Sequence, residues 1–171
     1  MFQDYFEDHD LPVNVRISKE TEPLGTAGHL SLLKEDLNAP FFVLNGDILT
    51  NIDFSKVYAM HLQGGADMTV VTKVVETPLQ YGVVESEGNR LLNIHEKPNI
   101  QSEIIAGIYI LSPRILDFIP FNEKSLMTDV VKDAVAAKCV VQKYVLEDYW
   151  LDVGQMENYK KAVSDITQGN L

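Results

Sequence analysis

One cysteine, Cys139, occurs in 171 residues, and without a second thiol the chain can form no internal disulfide. The four histidines, His9, His29, His61 and His95, lack the paired spacing of a zinc site, so all five residues are read as structural or surface groups. Basic residues are scarce as well: 14 Lys and Arg stand against 25 Asp and Glu, a net charge of −11. That balance argues against a nucleic-acid partner or an anionic membrane surface, and it confines any phosphate site to a local pocket. The longest apolar runs, such as FFVL and AGIYIL, fall far short of the ~20 residues a bilayer span needs. The acidic start MFQDYFEDHD does not have the form of a signal peptide, and a cytoplasmic chain is expected. Repeats and low-complexity linkers are absent too. With 46% hydrophobic and 23% charged residues, residues 1–171 are expected to build one domain around a substantial core.

What is present alternates between strand and helix patterns. VNVRISKE (13–20) reads as a strand, PLGTAG as a glycine turn, and HLSLLKEDL as a helix with Leu30, Leu33 and Leu37 on one face. FFVL, bounded by Pro40 and Asn45-Gly46-Asp47, reads as a strand buried on both faces, as in a parallel sheet under helices. NIDFSKVYAMHLQGG reads as a helix with Phe54, Val57, Ala59 and Met60 inward, ended by Gly64 and Gly65. ADMTVVTKVV and EIIAGIYILS read as strands, and YGVVES with RLLNIHEK as an antiparallel hairpin about Glu87-Gly88-Asn89. Pro113–Ile119 reads as a short helix, LMTDVVKDAVAAK as a longer one with Leu126, Val130, Ala134 and Val135 inward, VVQKYVLE as a strand and MENYKKAVSDI as a helix. The expected class is α/β, with a Rossmann-like mixed but mainly parallel sheet and helices on both faces.

Four short motifs could carry chemistry. EPLGTAG, Glu22 to Gly28, places two glycines between a strand and a helix, where backbone can approach a flat or anionic ligand; a tight connection would need the same glycines. NGD puts Asp47 just past an apolar strand, at the edge where open α/β sheets bind ligands, although Asn, Gly and Asp also make plain turns. Glu96 and Lys97 in HEKP could hold a sugar hydroxyl and a phosphate, or be a solvated charge pair. YWLDVG offers a second strand-end aspartate, Asp152, which could pair with Asp47 as a site for Mg²⁺, or simply cap a helix.

Taken in order, EPLGTAG, VLNGD, YGVVE, EKP, AGIYIL and WLDVG resemble the sugar-1-phosphate nucleotidyltransferases, the nucleotide-sugar pyrophosphorylases, over about Val15 to Ala162. The likeness is greatest to the mannose-1-phosphate guanylyltransferase type. It implies transfer of a nucleotidyl group from a nucleoside triphosphate, GTP being favoured over UTP, to a sugar 1-phosphate, with release of pyrophosphate. It implies Gly25 and Gly28 at the base, Asp47 and Asp152 on Mg²⁺, Gly82, Glu96 and Lys97 at the sugar and its phosphate, and Gly107 beside the sugar. Asp47, Lys97 and Asp152 would be the catalytic set.

The resemblance departs from its pattern at one place. Members of that family carry a first strand and a glycine-rich loop of the type GGxGTRLxPLT that cradles the triphosphate, and neither occurs in this sequence. An N-terminally truncated, incomplete or inactive form is therefore expected, with exposed strand edges that favour self-association into a homo-oligomer. Two other readings stay open: a non-catalytic nucleotide-sugar-binding or interaction module, and a metal-dependent glycosyltransferase.

Overall fold

The β-branched runs VVTKVV and IIAGIYIL form the two longest strands, which cross the middle of the sheet. The structure, a computed structural model, describes residues 5–6 and 12–169. In chain order the elements are β1 (Phe41–Leu44), β2 (Ile48–Thr50), α1 (Phe54–Gln63), β3 (Met68–Pro78), β4 (Val83–Glu87), β5 (Arg90–His95), β6 (Asn99–Leu111), α2 (Met127–Ala136), β7 (Val141–Val145), β8 (Trp150–Asp152) and α3 (Met156–Thr167). Among the described residues two 3₁₀ helices, Gly28–Leu33 and Pro113–Phe118, accompany them.

The main sheet has the order β1-β6-β3-β7. β6 is antiparallel to both of its neighbours, whereas β7 is parallel to β3, so β1, β3 and β7 share one direction and β6 alone runs against it. Period-two alternation then divides the core. Met68, Val70, Tyr109 and Leu111 face Met127, Val130 and Ala134 of α2 together with both 3₁₀ helices. Val71, Ala106, Ile108 and Ile110 face Val57 of α1, with Ile52 and Leu146. The result is the expected mixed α/β sheet with helices on both faces. The outer halves of β3 and β6 continue past the sheet as a two-stranded ribbon that pairs Thr77 with Ile100 and Pro78 with Asn99. β4 and β5 form the expected hairpin, its turn made by Gly88 at φ +57°.

Several local expectations give way to tertiary context. VNVRISKE forms no strand, and Val13, Val15 and Ile17 are 65%, 43% and 45% exposed; alternation makes a strand only where a neighbour accepts its hydrogen bonds. HLSLLKEDL forms a 3₁₀ helix rather than an α-helix. FFVL lies at the edge of the sheet, half-buried and antiparallel to β6, instead of covered on both faces between parallel neighbours. In α1 the buried residues are Val57 and His61, while Ala59 and Phe54 are exposed. In α2 Met127 joins Val130 and Ala134 inside, and Leu126 and Val135 are exposed. In both helices the apolar stripe was wider than the face that the sheet covers. Among the described residues no helix is long and apolar enough to cross a membrane.

Candidate active site

β1 ends at Leu44, and Asn45-Gly46-Asp47 carry the chain directly into β2. β2 pairs antiparallel with β8, with Ile48 opposite Asp152 and Thr50 opposite Trp150. The carbonyl of Asp47 accepts a hydrogen bond from Val153 N at 2.8 Å, which closes the end of this small ladder. Two aspartates far apart in sequence thus meet. The point where a β-carbon at Gly154 would stand lies 3.0 Å from Asp152 Oδ1 and 3.2 Å from Asp47 Oδ2. Glycine at 154 leaves open the space that both carboxylates flank, and two hard oxygens on one small volume suit a hard divalent cation. Among the described residues no cluster of three or more His, Cys, Asp or Glu could hold a metal, so Asp47 and Asp152 stand as a pair of carboxylates without a third ligand of that kind.

Hydrogen bonds from three directions hold the Asp152 side of the pair. Gly154 N donates to Asp152 Oδ1 at 2.8 Å and orients the carboxylate. Asn158 Nδ2, in the first turn of α3, donates to the Asp152 carbonyl at 2.7 Å. Trp150 Nε1 donates to Ala106 O at 2.9 Å, fastening β8 across β6. One residue before β8, the Tyr149 hydroxyl donates to Asp165 Oδ2 at 2.6 Å, and Lys161 pairs with the same carboxylate. Desolvation and then the Asp165 carboxylate push the Tyr149 hydroxyl up to about 12, while Lys161 and Tyr149 hold the Asp165 carboxyl below the usual range.

The other residues singled out from the sequence fall into separate groups. Gly107 sits beside the NGD turn: its carbonyl accepts from Asn45 N at 2.9 Å, it has φ +74°, and a β-carbon there would stand 2.9 Å from Asn45 Nδ2. Gly82 lies beside Glu96, whose Oε2 would be 3.0 Å from a β-carbon at position 82. Lys97 is exposed and left-handed, φ +45°, between β5 and β6. That angle breaks the alternation that would send neighbouring Glu96 and Lys97 to opposite faces. Gly25 and Gly28 belong to another contact. β-carbons there would stand 2.6 Å from Ser125 O and 2.3 Å from Glu123 O, and Ala27 N donates to Ser125 O while Met127 N donates to Thr26 Oγ1. The glycine turn is thus packed on the segment that leads into α2, and its glycines are needed for that packing. Asn45 and Asn158 were not singled out beforehand. Asn45 stood in the NGD motif as a turn residue, and nothing local marks Asn158.

The sequence profile of the family described as "Nucleotidyl transferase" matches residues 1–169. The chain belongs to the nucleotidyl transferase family. This nucleotidyl transferase chain is 37% identical over 167 residues to the mannose-1-phosphate guanylyltransferase catalytic subunit beta of Dictyostelium discoideum, an alignment covering 93% of the chain and 46% of that protein. To the mannose-1-phosphate guanyltransferase of Schizosaccharomyces pombe (strain 972 / ATCC 24843) it is 41% identical over 160 residues, 89% of the chain and 44% of the relative. It therefore spans about half the length of these relatives. The crystal structure of HddC from Yersinia pseudotuberculosis superposes with a TM-score of 0.71 at 25% identity, over 96% of this chain and 72% of that one. A UTP-bound UGPase from Acinetobacter baumannii shares the fold at a TM-score of 0.63 and 22% identity, over 85% of this chain and 57% of that one.

Proposed function

We propose that this chain takes part in transfer of a nucleotidyl group from a nucleoside triphosphate to a sugar 1-phosphate, with GTP and mannose 1-phosphate as the first pair to try. The observation that carries the reading is the convergence of Asp47 Oδ2 and Asp152 Oδ1 on the space left by Gly154, in a chain of the nucleotidyl transferase family. The sugar comes from the names of the relatives, mannose-1-phosphate guanylyltransferases, and HddC has also been crystallised with GMP-PN. In the reaction an oxygen of the sugar phosphate bonds to the α-phosphorus, and the bond from that phosphorus to the bridging oxygen breaks. Pyrophosphate leaves with the electron pair.

Within this reading Asp47 and Asp152 would hold Mg²⁺, which when bound supplies neutralising charge to the phosphates. Lys97 offers an exposed ammonium to the sugar phosphate, and Glu96 accepts from a sugar hydroxyl with Gly82 leaving it room. Gly107 makes room for the Asn45 side chain beside the sugar, and Gly25 and Gly28 shape the turn at the base. No protein nucleophile is needed, since alignment and charge neutralisation carry transfers of this kind. A cytoplasmic setting belongs to the same proposal.

The test incubates the purified chain with Mg²⁺ and each combination of GTP or UTP with mannose or glucose 1-phosphate. Pyrophosphate release and calorimetric binding of the matching nucleotide sugar are both measured. Asp47→Asn and Asp152→Asn should each remove the Mg²⁺ dependence of whichever signal the parent shows. Mg²⁺ dependence that survives both substitutions would defeat the reading.

A further inference from the structure

α3 packs weakly on the rest of the fold. Among its twelve residues only Ala162 is buried, and Met156, Tyr159, Val163 and Ile166 are between 49% and 69% exposed. Two side-chain hydrogen bonds join it to the segment around β8, the Tyr149 hydroxyl to Asp165 at 2.6 Å and Asn158 Nδ2 to the carbonyl of Asp152 at 2.7 Å, and Lys161 Nζ lies 5.6 Å from the centroid of the Tyr149 ring. Asparagine is a poor residue inside a helix because its amide competes for backbone groups. At Asn158 that amide reaches out of the helix to the backbone carbonyl of Asp152, one of the two carboxylate residues of the proposed cation site. β8 is only three residues long and ends at Asp152, so beyond the ladder the position of this residue depends on what its own flanks touch. Gly154 N fixes the direction of the carboxylate, and the peptide that follows it is held from both sides, its N–H by the Asp47 carbonyl and its carbonyl by Asn158.

We propose that Asn158 is a positioning residue for the divalent-cation site, holding the Asp152 backbone so that its carboxylate meets that of Asp47. The inference rests on the cation reading of the two aspartates and adds to it a residue outside the ligand pair that supports the convergence set up by the β2–β8 ladder. Groups that orient metal ligands from behind typically change metal affinity about 10–100-fold when they are removed, and Asn158 acts on the main chain of a ligand rather than on its side chain.

The experiment measures Mn²⁺ binding by water-proton relaxation, and unfolding midpoints in urea, for the parent chain and for Asn158→Ala, Tyr149→Phe and Asp152→Asn. Asn158→Ala should weaken Mn²⁺ binding about 10–100-fold. Tyr149→Phe, which removes the other of these hydrogen bonds to α3 but touches neither aspartate, should bind Mn²⁺ like the parent while unfolding at lower urea. Equal losses of Mn²⁺ affinity in Tyr149→Phe and Asn158→Ala would overturn the inference, since any loosening of α3 would then suffice. Parent-like affinity in Asn158→Ala would overturn it as well. If Asn158→Ala does not fold, the near-isosteric Asn158→Asp, which can no longer donate, takes its place with the same expected loss. Asp152→Asn separates the two levels. A parent that binds Mn²⁺ no better than Asp152→Asn removes the cation reading together with the inference, whereas a loss in Asp152→Asn with none in Asn158→Ala removes the inference alone.

Discussion

Gly107 and Gly46 both adjoin Asn45, yet the structure asks different things of them. Gly107 has φ +74°, and any β-carbon there would meet Asn45 Nδ2 at 2.9 Å, whereas Gly46 has open space around it and no positive φ. Side chains rarely adopt the first conformation, and forcing one costs roughly 1–3 kcal/mol before the contact with Asn45 is counted. Gly107→Ala should therefore lower the unfolding free energy read from urea melts by an amount in that range or above it, while Gly46→Ala should stay within about 0.5 kcal/mol of the parent. Equal shifts in the two variants would show that the Asn45–Gly107 contact is not what requires glycine. Both glycines are visible in the sequence, in NGD and AGIYIL. That only one of them is sterically required is not, because the residue that crowds Gly107 comes from another strand.

At the scale of an element, α1 is anchored by an unusual inward residue. His61 is 1% exposed, with Nδ1 2.8 Å from Thr69 Oγ1 and Nε2 3.3 Å from Ser112 Oγ. Burial holds its pKa below the ordinary histidine value, and the nearby Asp67 carboxylate opposes part of that shift. The folded state thus prefers the neutral ring. As pH falls, the unfolded chain takes up a proton before the folded one does, so the contribution of His61 is complete above about pH 6.5 and is lost as pH drops from there toward the folded value. His61→Gln should unfold with a flatter dependence on pH across that interval, read as urea midpoints at a series of pH values. A parent and variant with parallel pH profiles would sink the assignment. The helix itself was legible from the apolar spacing and the Gly64-Gly65 stop. Its inward face was not, because the periodicity admits several neighbouring phases and only the covering strands select one.

On the scale of the whole molecule, the chain aligns with less than half of its mannose-1-phosphate guanylyltransferase relatives, and no GxGTRL loop occurs among its 171 residues. Loss of a single preorganised donor to developing charge commonly costs a factor of about 10²–10³. Pyrophosphate release by these residues alone should therefore be lower, by at least a factor of about 10², than release by a chain of the same sequence carrying such a loop ahead of it. The comparison needs matched Mg²⁺, triphosphate and sugar 1-phosphate. Similar turnover in both would mean that the donors for the triphosphate lie elsewhere.

The sequence by itself determined the α/β class, the family, the two strand-end aspartates and the β4–β5 hairpin, because each of these is written in local periodicity, turn chemistry or an ordered set of short motifs. Only the tertiary structure decided that β1 is an edge strand, that residues 13–20 find no strand to pair with, and that Gly25 and Gly28 are filled by the backbone of Glu123 and Ser125. It alone also showed that Ile48 pairs with Asp152, with carboxylate oxygens of Asp47 and Asp152 both beside Gly154, and that Asn158 reaches back from α3 to the carbonyl of Asp152. The physical reason is common to all of these: strand partners, close backbone approaches and side-chain-to-backbone bonds join residues distant along the chain, and such contacts leave no periodic trace in either segment.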